Sequence, residues 1–300
     1  MSLLKYDKFK ITPAAIEEAQ EQIYILEGTI AMNRLTTVYA DPNQGKTTLS
    51  MALARLINAI YLDAENPIDT FPDQILKKCD IYATSMGASM DDLKDILNEI
   101  LTSGVSGKLI IVDTLSHFVD PNNNVDVQSF YQLLRRITNN GNGVVVLHHT
   151  NKGDSNSENP KKQFFGSSVI KAQSDTLLYL TGFSDDVGNI VVTMEPEKKR
   201  GYIEKRSYKI STLTYDIEPE KYDDPAQLAK DKPIINMIKG YLTEPRMTTQ
   251  IHKYMESQKI SRRRTNDILN RYINTFWEKG GDGRKRNWTL KKDENLKEAS

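Results

Sequence analysis

The stretch VYADPNQGKTTL, Val38 to Leu49, has the spacing of a phosphate-binding loop with one departure. The motif reads G-x-x-x-x-G-K-[ST], and Ala40 stands in place of its first glycine. In such a loop, consecutive backbone N–H groups and the N-terminus of a helix point at phosphate oxygens. The first position only begins the turn, so we expect a small residue such as alanine to fit there.

The residues that flank the loop predict a strand, LTTVYA, before it and a helix, TTLSMALARL, after it. Gly45 lets the backbone approach the ligand closely, Lys46 reaches the terminal phosphates, and the Thr47 hydroxyl binds Mg²⁺. A chance turn before a helix is the alternative, and the flanking pattern disfavours it. The predicted nucleotide contacts are Asn43, Gln44, Gly45, Lys46, Thr47, Thr48 and Asp113.

Two later apolar strands end in carboxylates. The segment AIYLDAEN ends in Asp63 and Glu65, and KLIIVDT ends in Asp113. Since the carboxyl end of a neighbouring parallel strand lies near the loop, Glu65 would orient and deprotonate the water that attacks the terminal phosphate. A surface turn capped by Asp63 is the alternative. Asp113 follows four apolar residues, as in a Walker B strand, and would hold Mg²⁺ through water.

A fourth apolar strand, GVVVLHH, ends in His148 and His149. Residues that alternate along a strand point to opposite faces, so we expect only one imidazole to sense the terminal phosphate. A hydrogen-bonded structural histidine is the alternative. The loop that follows contains Lys152, Lys161, Lys162, Phe164 and Phe165, which would contact a nucleic-acid backbone and stack on bases. A plain surface loop is the alternative for this segment.

The alternation of apolar runs and helical segments predicts an α/β fold with a mostly parallel sheet. The last strands follow one another without helices, which predicts an antiparallel extension at the sheet edge. The predicted organisation is an arm over 1–28, an ATPase-type domain over 29–217, a charged linker over 218–232, a small domain over 233–292 and a tail over 293–300.

Composition excludes several classes of protein. A single cysteine rules out a disulfide framework and favours a reducing compartment, and no apolar run is long enough for a membrane helix, so we expect a cytoplasmic protein. The net charge is zero, but residues 233–300 contain 15 Lys and Arg against 8 Asp and Glu. Such a basic module favours nucleic acid as a partner, with a solvated charged surface as the alternative.

The motifs YADPNQGKTTL, YLDAEN, LIIVDT, VLHHTNK and GSSVIKAQSDTLLYL occur in the order found in RecA-like ATPases. The chain most resembles the hexameric replicative helicases of the plasmid RepA type, over roughly Ile25 to Ile210. The resemblance implies ATP and Mg²⁺ as cofactors, Glu65 as catalytic glutamate and His149 as the phosphate sensor. It also implies a homo-oligomer, with single-stranded DNA contacting the loop after His149 inside the ring.

One departure concerns the residue before GSS, which is an arginine in the RepA-type pattern and Phe165 here. If that arginine reaches the nucleotide of the neighbouring subunit, this chain needs a replacement. The segment EPEKKRGY is similar to the K-x-R element of DnaB-like helicases and offers Lys198 and Arg200 as that replacement. A surface-exposed basic turn is the alternative.

The C-terminal segment resembles a winged-helix domain, with three helices before a strand–turn–strand. Thr248 and Ser261 are predicted to cap its second and third helices. Duplex DNA would contact the start of the third helix and the wing tip, and a protein partner is the alternative. The predicted DNA contacts are Arg262, Arg263, Arg264, Arg284, Lys285 and Arg286.

Together these features predict a ring-shaped, ATP-driven helicase or translocase that acts in replication of a mobile element. A RecA-like ATPase of recombination or regulation that does not unwind DNA is one alternative. A DNA-binding regulator whose assembly depends on ATP is the other.

Overall fold

The computed structural model describes residues 10–14, 22–150, 166–185, 188–220, 225–280 and 287–291. The chain forms two compact units, Met1–Pro225 and Ala226–Ser300. Some predicted DNA contacts lie outside the described residues, namely Lys152, Lys161, Lys162, Phe164, Phe165, Arg284, Lys285 and Arg286.

The first unit alternates strands with helices, as the apolar pattern predicts. Its strands are β1 (Tyr24–Leu26), β2 (Ile30–Ala31), β3 (Leu35–Ala40), β4 (Ala59–Asp63), β5 (Cys79–Ala83), β6 (Leu109–Asp113), β7 (Gly143–His149), β8 (Thr176–Ser184), β9 (Ile190–Lys198), β10 (Arg206–Ile210) and β11 (Ile217–Pro219). Its helices are α1 (Lys46–Leu56), α2 (Asp73–Leu76), α3 (Met90–Thr102), α4 (Leu115–Phe118), α5 (Asn124–Asn139) and α6 (Ser168–Gln173).

A nine-stranded sheet organises this unit in the order β11-β10-β9-β8-β3-β7-β6-β4-β5. The strands from β8 to β5 in that order are parallel, and β9, β10 and β11 continue the sheet with antiparallel pairing. The predicted α/β class and the antiparallel extension are therefore confirmed.

The register of the parallel strands brings their carboxyl ends together. Ala40 pairs with His149, and Asp63 pairs with Asp113, so the carboxyl ends of β3, β7, β4 and β6 meet at one edge of the sheet. The central strands are buried on both faces, because α1 packs on one face and α3 and α5 pack on the other. This burial explains why the strands read as continuous apolar runs rather than as alternating ones.

The described residues of the second unit form three helices and a three-stranded sheet. Its elements are α7 (Pro225–Tyr241), β12 (Arg246–Met247), α8 (Thr248–Ser257), α9 (Arg262–Arg271), β13 (Trp277–Gly280) and β14 (Asn287–Leu290). The sheet order is β12-β14-β13, with antiparallel pairing. Both tryptophans of the chain, Trp277 and Trp288, lie in its core.

Helix α7 begins within the segment 218–232, which its charge and prolines mark as a linker in the sequence. Pro233 lies inside this helix rather than at its start. A proline removes one backbone donor, but Pro233 is on the exposed face of the helix, where water reaches the carbonyl that loses its partner.

One of the two predicted helix caps is correct. The Ser261 hydroxyl accepts a hydrogen bond from the Arg264 backbone N–H at 3.2 Å and caps α9. The cap prediction for Thr248 is wrong, because Thr248 is the first residue of α8 and Met247 precedes it as the cap residue. The Thr248 hydroxyl instead accepts a hydrogen bond from the Trp288 indole N–H at 2.9 Å.

Candidate nucleotide-binding site

The loop between β3 and α1 has the backbone of a phosphate cradle. Asn43 and Gly45 adopt positive φ values of 62° and 85°, which turn the chain before α1 begins at Lys46. A side chain on Gly45 would also meet Ile190 at 2.9 Å, so only glycine lets β9 pack behind the loop. Ala40 is buried and is absent from the positive-φ positions, so its place does not require glycine.

Lys46 lies inside this loop with only 9% of its surface exposed. Its Nζ donates to the carbonyl oxygens of Ala40 at 3.2 Å and Asp41 at 3.4 Å. Burial lowers the pKa of Lys46, while the charges of Glu65, Asp113 and Asp41 act in the opposite direction. The loop therefore holds a buried cation whose hydrogen bonds go to backbone carbonyls.

The predicted site residues meet in one cavity of about 400 Å³. Its lining comprises Pro42, Asn43, Gly45, Lys46, Thr47, Thr48, Glu65, Asp113, His149 and Ile190. Gln44 is the exception among the predicted contacts, because its side-chain oxygen accepts a hydrogen bond from the Gly182 backbone N–H at 2.9 Å. That bond fixes the loop to β8.

Asp113 is the most buried carboxylate that lines this cavity, with 2% of its surface exposed. Its Oδ2 accepts hydrogen bonds from the Tyr61 hydroxyl at 2.6 Å and from the Asn66 amide at 3.2 Å. Burial raises the pKa of Asp113 to about 6, and the nearby carboxylates of Asp63 and Glu65 add to the increase. A cation beside Asp113 would relieve this penalty.

Glu65 and His149 face each other across the cavity mouth. The distance from His149 Nε2 to Glu65 Oε2 is 3.6 Å. Burial and the charge of Lys46 lower the pKa of His149, although Glu65 opposes this shift. The imidazole is therefore mainly neutral at pH 7, and it can donate to Glu65 or to a phosphate oxygen without bringing a full charge.

The oxygen ligands in the cavity fit Mg²⁺. Thr47 supplies a hydroxyl and Asp113 a carboxylate, and hard cations prefer oxygen ligands. Within the described part of the chain, no group of three or more His, Cys, Asp or Glu side chains is placed to hold a metal by itself. This donor set therefore suits an ion that takes its other ligands from phosphates and water.

Lys198 and Arg200 lie at the other end of the strands from this cavity. Arg200 Nη1 donates to Asp175 Oδ1 at 3.0 Å, and Asp175 also accepts from the backbone N–H of Leu35, the first residue of β3. Lys198 Nζ donates to the carbonyl oxygens of Lys171 and Ala172, the last turn of α6, at 2.7 Å each. Neither residue lines the cavity of its own chain.

The arginines predicted to contact DNA from α9 differ in their surroundings. Arg262 makes a two-pronged ion pair with Glu256, at 2.7 and 3.1 Å. Arg264 pairs with the buried Asp231. Arg263 is exposed and has no ion-pair partner among the described residues.

Four residues of the site are absent from the sequence-based predictions, namely Pro42 in the loop itself, Ile190, Tyr61 and Asn66. Ile190 lines the cavity from β9, far along the chain from the loop. Tyr61 lies in an apolar strand segment, where nothing distinguishes it from a core residue. Asn66 directly follows Glu65, and its amide bonds both Asp63, at 2.6 Å, and Asp113.

None of the described helices is long and apolar enough to cross a membrane. Residues 9–155 match the family model described as AAA domain. No curated protein matches the chain. Among solved structures, one described as "Crystal structure of the RadB recombinase" shares 18% identity, covers 66% of this chain and 95% of its own, and gives a TM-score of 0.47.

The family match spans the loop from Ala40 to Thr47, Glu65, Asp113 and His149. These are the residues that the fold brings to one cavity at the carboxyl edge of the parallel sheet. Residues 9–155 are therefore similar to the AAA domain family, and the loop from Ala40 to Thr47 lines a cavity with the arrangement of a P-loop nucleotide site.

Proposed function

We propose that the chain is a Mg²⁺-dependent ATPase that drives unwinding or translocation of DNA as a ring of identical subunits, in replication of a mobile element. The observation that supports ATP hydrolysis most directly is the cavity that holds Lys46, Thr47, Glu65, Asp113 and His149 together. Each of these side chains has a distinct task in phosphoryl transfer, and each is present.

In this proposal, Glu65 accepts the proton of the attacking water, since it lies at the cavity mouth where solvent can enter. Neutral His149, 3.6 Å away, orients the Glu65 carboxylate or contacts the terminal phosphate. Lys46 opposes the negative charge on the phosphates. Mg²⁺, held by Thr47 and Asp113, would neutralise charge on the leaving group.

The position of Arg200 supports action between subunits. Arg200 is paired with Asp175 beside Leu35, the first residue of β3. The phosphate loop begins at the other end of β3, after its last residue, Ala40. A six-residue strand is roughly 20 Å long, so Arg200 is too far from the nucleotide of its own chain. Its side chain is 58% exposed, which suits a finger that reaches a neighbour's phosphates.

The C-terminal unit supports a role on DNA. Its order of helix, strand, two helices and two strands matches the order expected of a winged helix, and residues 233–300 carry a net charge of +7. Because Arg262 and Arg264 are paired within the unit, Arg263 is the α9 arginine best placed for a phosphate. We propose that this unit positions duplex DNA while the loop after His149 contacts a single strand.

Unwinding of a labelled forked duplex, with ATP and Mg²⁺, tests the proposal. The wild-type protein should separate the strands, and Glu65→Gln should bind nucleotide without separating them. DNA-stimulated hydrolysis without strand separation would instead identify a RecA-like ATPase that does not unwind. Protection of one defined duplex sequence without unwinding would identify a regulator. Images of the protein with a non-hydrolysable ATP analogue should show closed rings.

A further inference from the structure

A chain of buried hydroxyl groups connects the helix of the phosphate loop to Asp113. Ser50 on α1 lies 2.8 Å from the hydroxyl of Tyr61 on β4, and that hydroxyl lies 2.6 Å from Asp113 Oδ2 on β6. Ser50 and Tyr61 are fully buried, and Asp113 is 2% exposed. Water therefore cannot replace any of these contacts without a rearrangement of the core.

The number of hydroxyl protons fixes the direction of the hydrogen bond to Asp113. Ser50 Oγ also lies 2.8 Å from the carbonyl oxygen of Thr47, so three contacts compete for two hydroxyl protons. An ionised carboxylate only accepts, so Tyr61 donates to Asp113. Ser50 has one proton, which it donates to the carbonyl oxygen of Thr47 or shares between that oxygen and the hydroxyl oxygen of Tyr61. The hydrogen bond to the carboxylate is charge-assisted, which makes it the strongest of the three.

Tyr61 is the main support of Asp113. The other donor, the Asn66 amide, is 3.2 Å from Asp113 Oδ2 and makes a shorter bond of 2.6 Å to Asp63. Asn66 also lies on a half-buried loop, whereas Tyr61 is the central residue of β4, which pairs with β6 on one side and β5 on the other.

We propose that Ser50 and Tyr61 are positioning residues that hold Asp113 in register with Thr47, and thereby set the affinity of the site for Mg²⁺. The inference rests on the proposed ATP site. Mg²⁺ requires near-octahedral geometry, so a shift of one carboxylate oxygen weakens its binding. Residues that orient metal ligands typically change metal affinity or activity by about 10–100-fold when they are mutated.

Tyr61→Phe removes the hydroxyl and keeps the ring. Tyr131→Phe is the matched control, because Tyr131 is also fully buried and its hydroxyl bonds another hydroxyl, that of Thr37 at 2.9 Å, on the opposite face of the sheet. Binding of a fluorescent ATP analogue is measured in EDTA and then during a Mg²⁺ titration. Thermal unfolding of each variant reports its folding.

We expect Tyr61→Phe to raise the Mg²⁺ concentration at the midpoint by about 10-fold or more and to leave binding in EDTA unchanged. Ser50→Ala should give a smaller increase, and Tyr131→Phe none. An unchanged midpoint in Tyr61→Phe, or an equal increase in Tyr131→Phe, overturns the inference. If Tyr61→Phe does not fold, an unchanged midpoint in Ser50→Ala overturns it instead. Failure of the wild-type protein to bind nucleotide would refute the proposed ATP site itself.

Discussion

Two buried aspartates, one in each unit of the chain, have opposite kinds of partners. Asp113 in the first unit accepts hydrogen bonds from Tyr61 and Asn66, which are neutral donors. Asp231 in the C-terminal unit is fully buried and pairs with two arginines, Arg264 and Arg271. The hydroxyl of Tyr272, at 3.0 Å, adds a third donor to Asp231.

The difference separates a binding group from a structural one. Neutral donors orient Asp113, which has no ion-paired cation among the described residues, and burial raises its pKa to about 6. The arginines around Asp231 neutralise it and connect α7 with α9. A buried charge that has no ion pair therefore indicates a site for a charged ligand. A buried charge that is ion-paired within the chain indicates a contact that stabilises the fold.

The largest effect is expected from Lys46→Ala, which removes the buried cation of the phosphate loop. ATP hydrolysis, measured as phosphate release, should fall at least 100-fold, because the terminal phosphates lose their charged partner. Thermal stability should not fall, since Lys46 donates only to backbone carbonyls and its charge is costly to bury. If Lys46→Ala lowers stability but keeps its activity, Lys46 stabilises the fold, as Asp231 does, and does not bind a ligand. The contrast between the cavity and the C-terminal unit would then be wrong.

Arg200→Ala should lower ATP turnover about 100-fold or more in assembled protein, because the transition state loses a charged donor. Arg200 is paired with Asp175 in the single chain, but Asp175 retains Arg135 as a second cation. Arg200 can therefore move away from Asp175, because the Asp175 carboxylate keeps its ion pair with Arg135. Mixing Arg200→Ala with Lys46→Ala should partly restore activity, since some interfaces then contain both intact halves. Titrated mixtures with confirmed assembly and no recovery would count against a finger in trans.

The features that the sequence predicts are those that depend on residues close to one another along the chain. The loop from Ala40 to Thr47, the strand ending in Asp113 and the parallel sheet follow from local spacing and apolar runs, and the structure contains them. The meeting of Glu65 with His149 follows from the rule that carboxyl ends of parallel strands share an edge.

What the sequence does not reveal depends on contacts between distant segments. Tyr61 looks like any residue of an apolar strand, and only the register of β4 beside β6 places its hydroxyl on Asp113. The prediction that Thr248 caps α8 is wrong for a similar reason, because its hydroxyl accepts a hydrogen bond from Trp288, which is 40 residues away. Side-chain partners across a sheet require tertiary structure, which local propensity does not contain.

Asp231→Asn should destabilise the C-terminal unit by about 3–5 kcal/mol, because it leaves two arginines beside a neutral amide in a buried place. Urea unfolding monitored by tryptophan fluorescence measures this directly, since both tryptophans lie in that unit. ATP hydrolysis without DNA should be unchanged. The matched variant, Asp113→Asn, should show the reverse, with hydrolysis lost and the unfolding transition unchanged. Its unfolding is followed by far-UV circular dichroism, because both tryptophans lie in the other unit. Equal destabilisation by both changes would remove the distinction between the two aspartates.

The smallest effect on activity is expected at Cys79, a buried ionisable group that is kept neutral. Burial raises the pKa of its thiol to about 12, and the charge of Asp80 adds to the increase. An unfolded chain ionises this thiol near its ordinary pKa of about 8.5. Between those two values the unfolded state holds fewer protons than the folded state, so stability from this group falls as the pH rises.

Cys79→Ala should therefore leave ATP hydrolysis within about twofold of wild type, while reducing the loss of stability between pH 9 and 11. Labelling of the only thiol with a chromogenic disulfide at pH 8 gives an independent measurement. The folded chain should react at least 100-fold more slowly than the chain in denaturant, because the thiolate is the reacting species and is scarce in the fold. Rapid labelling of the folded protein would mean that β5 opens to solvent, and that burial at this edge of the sheet does not hold Cys79 neutral.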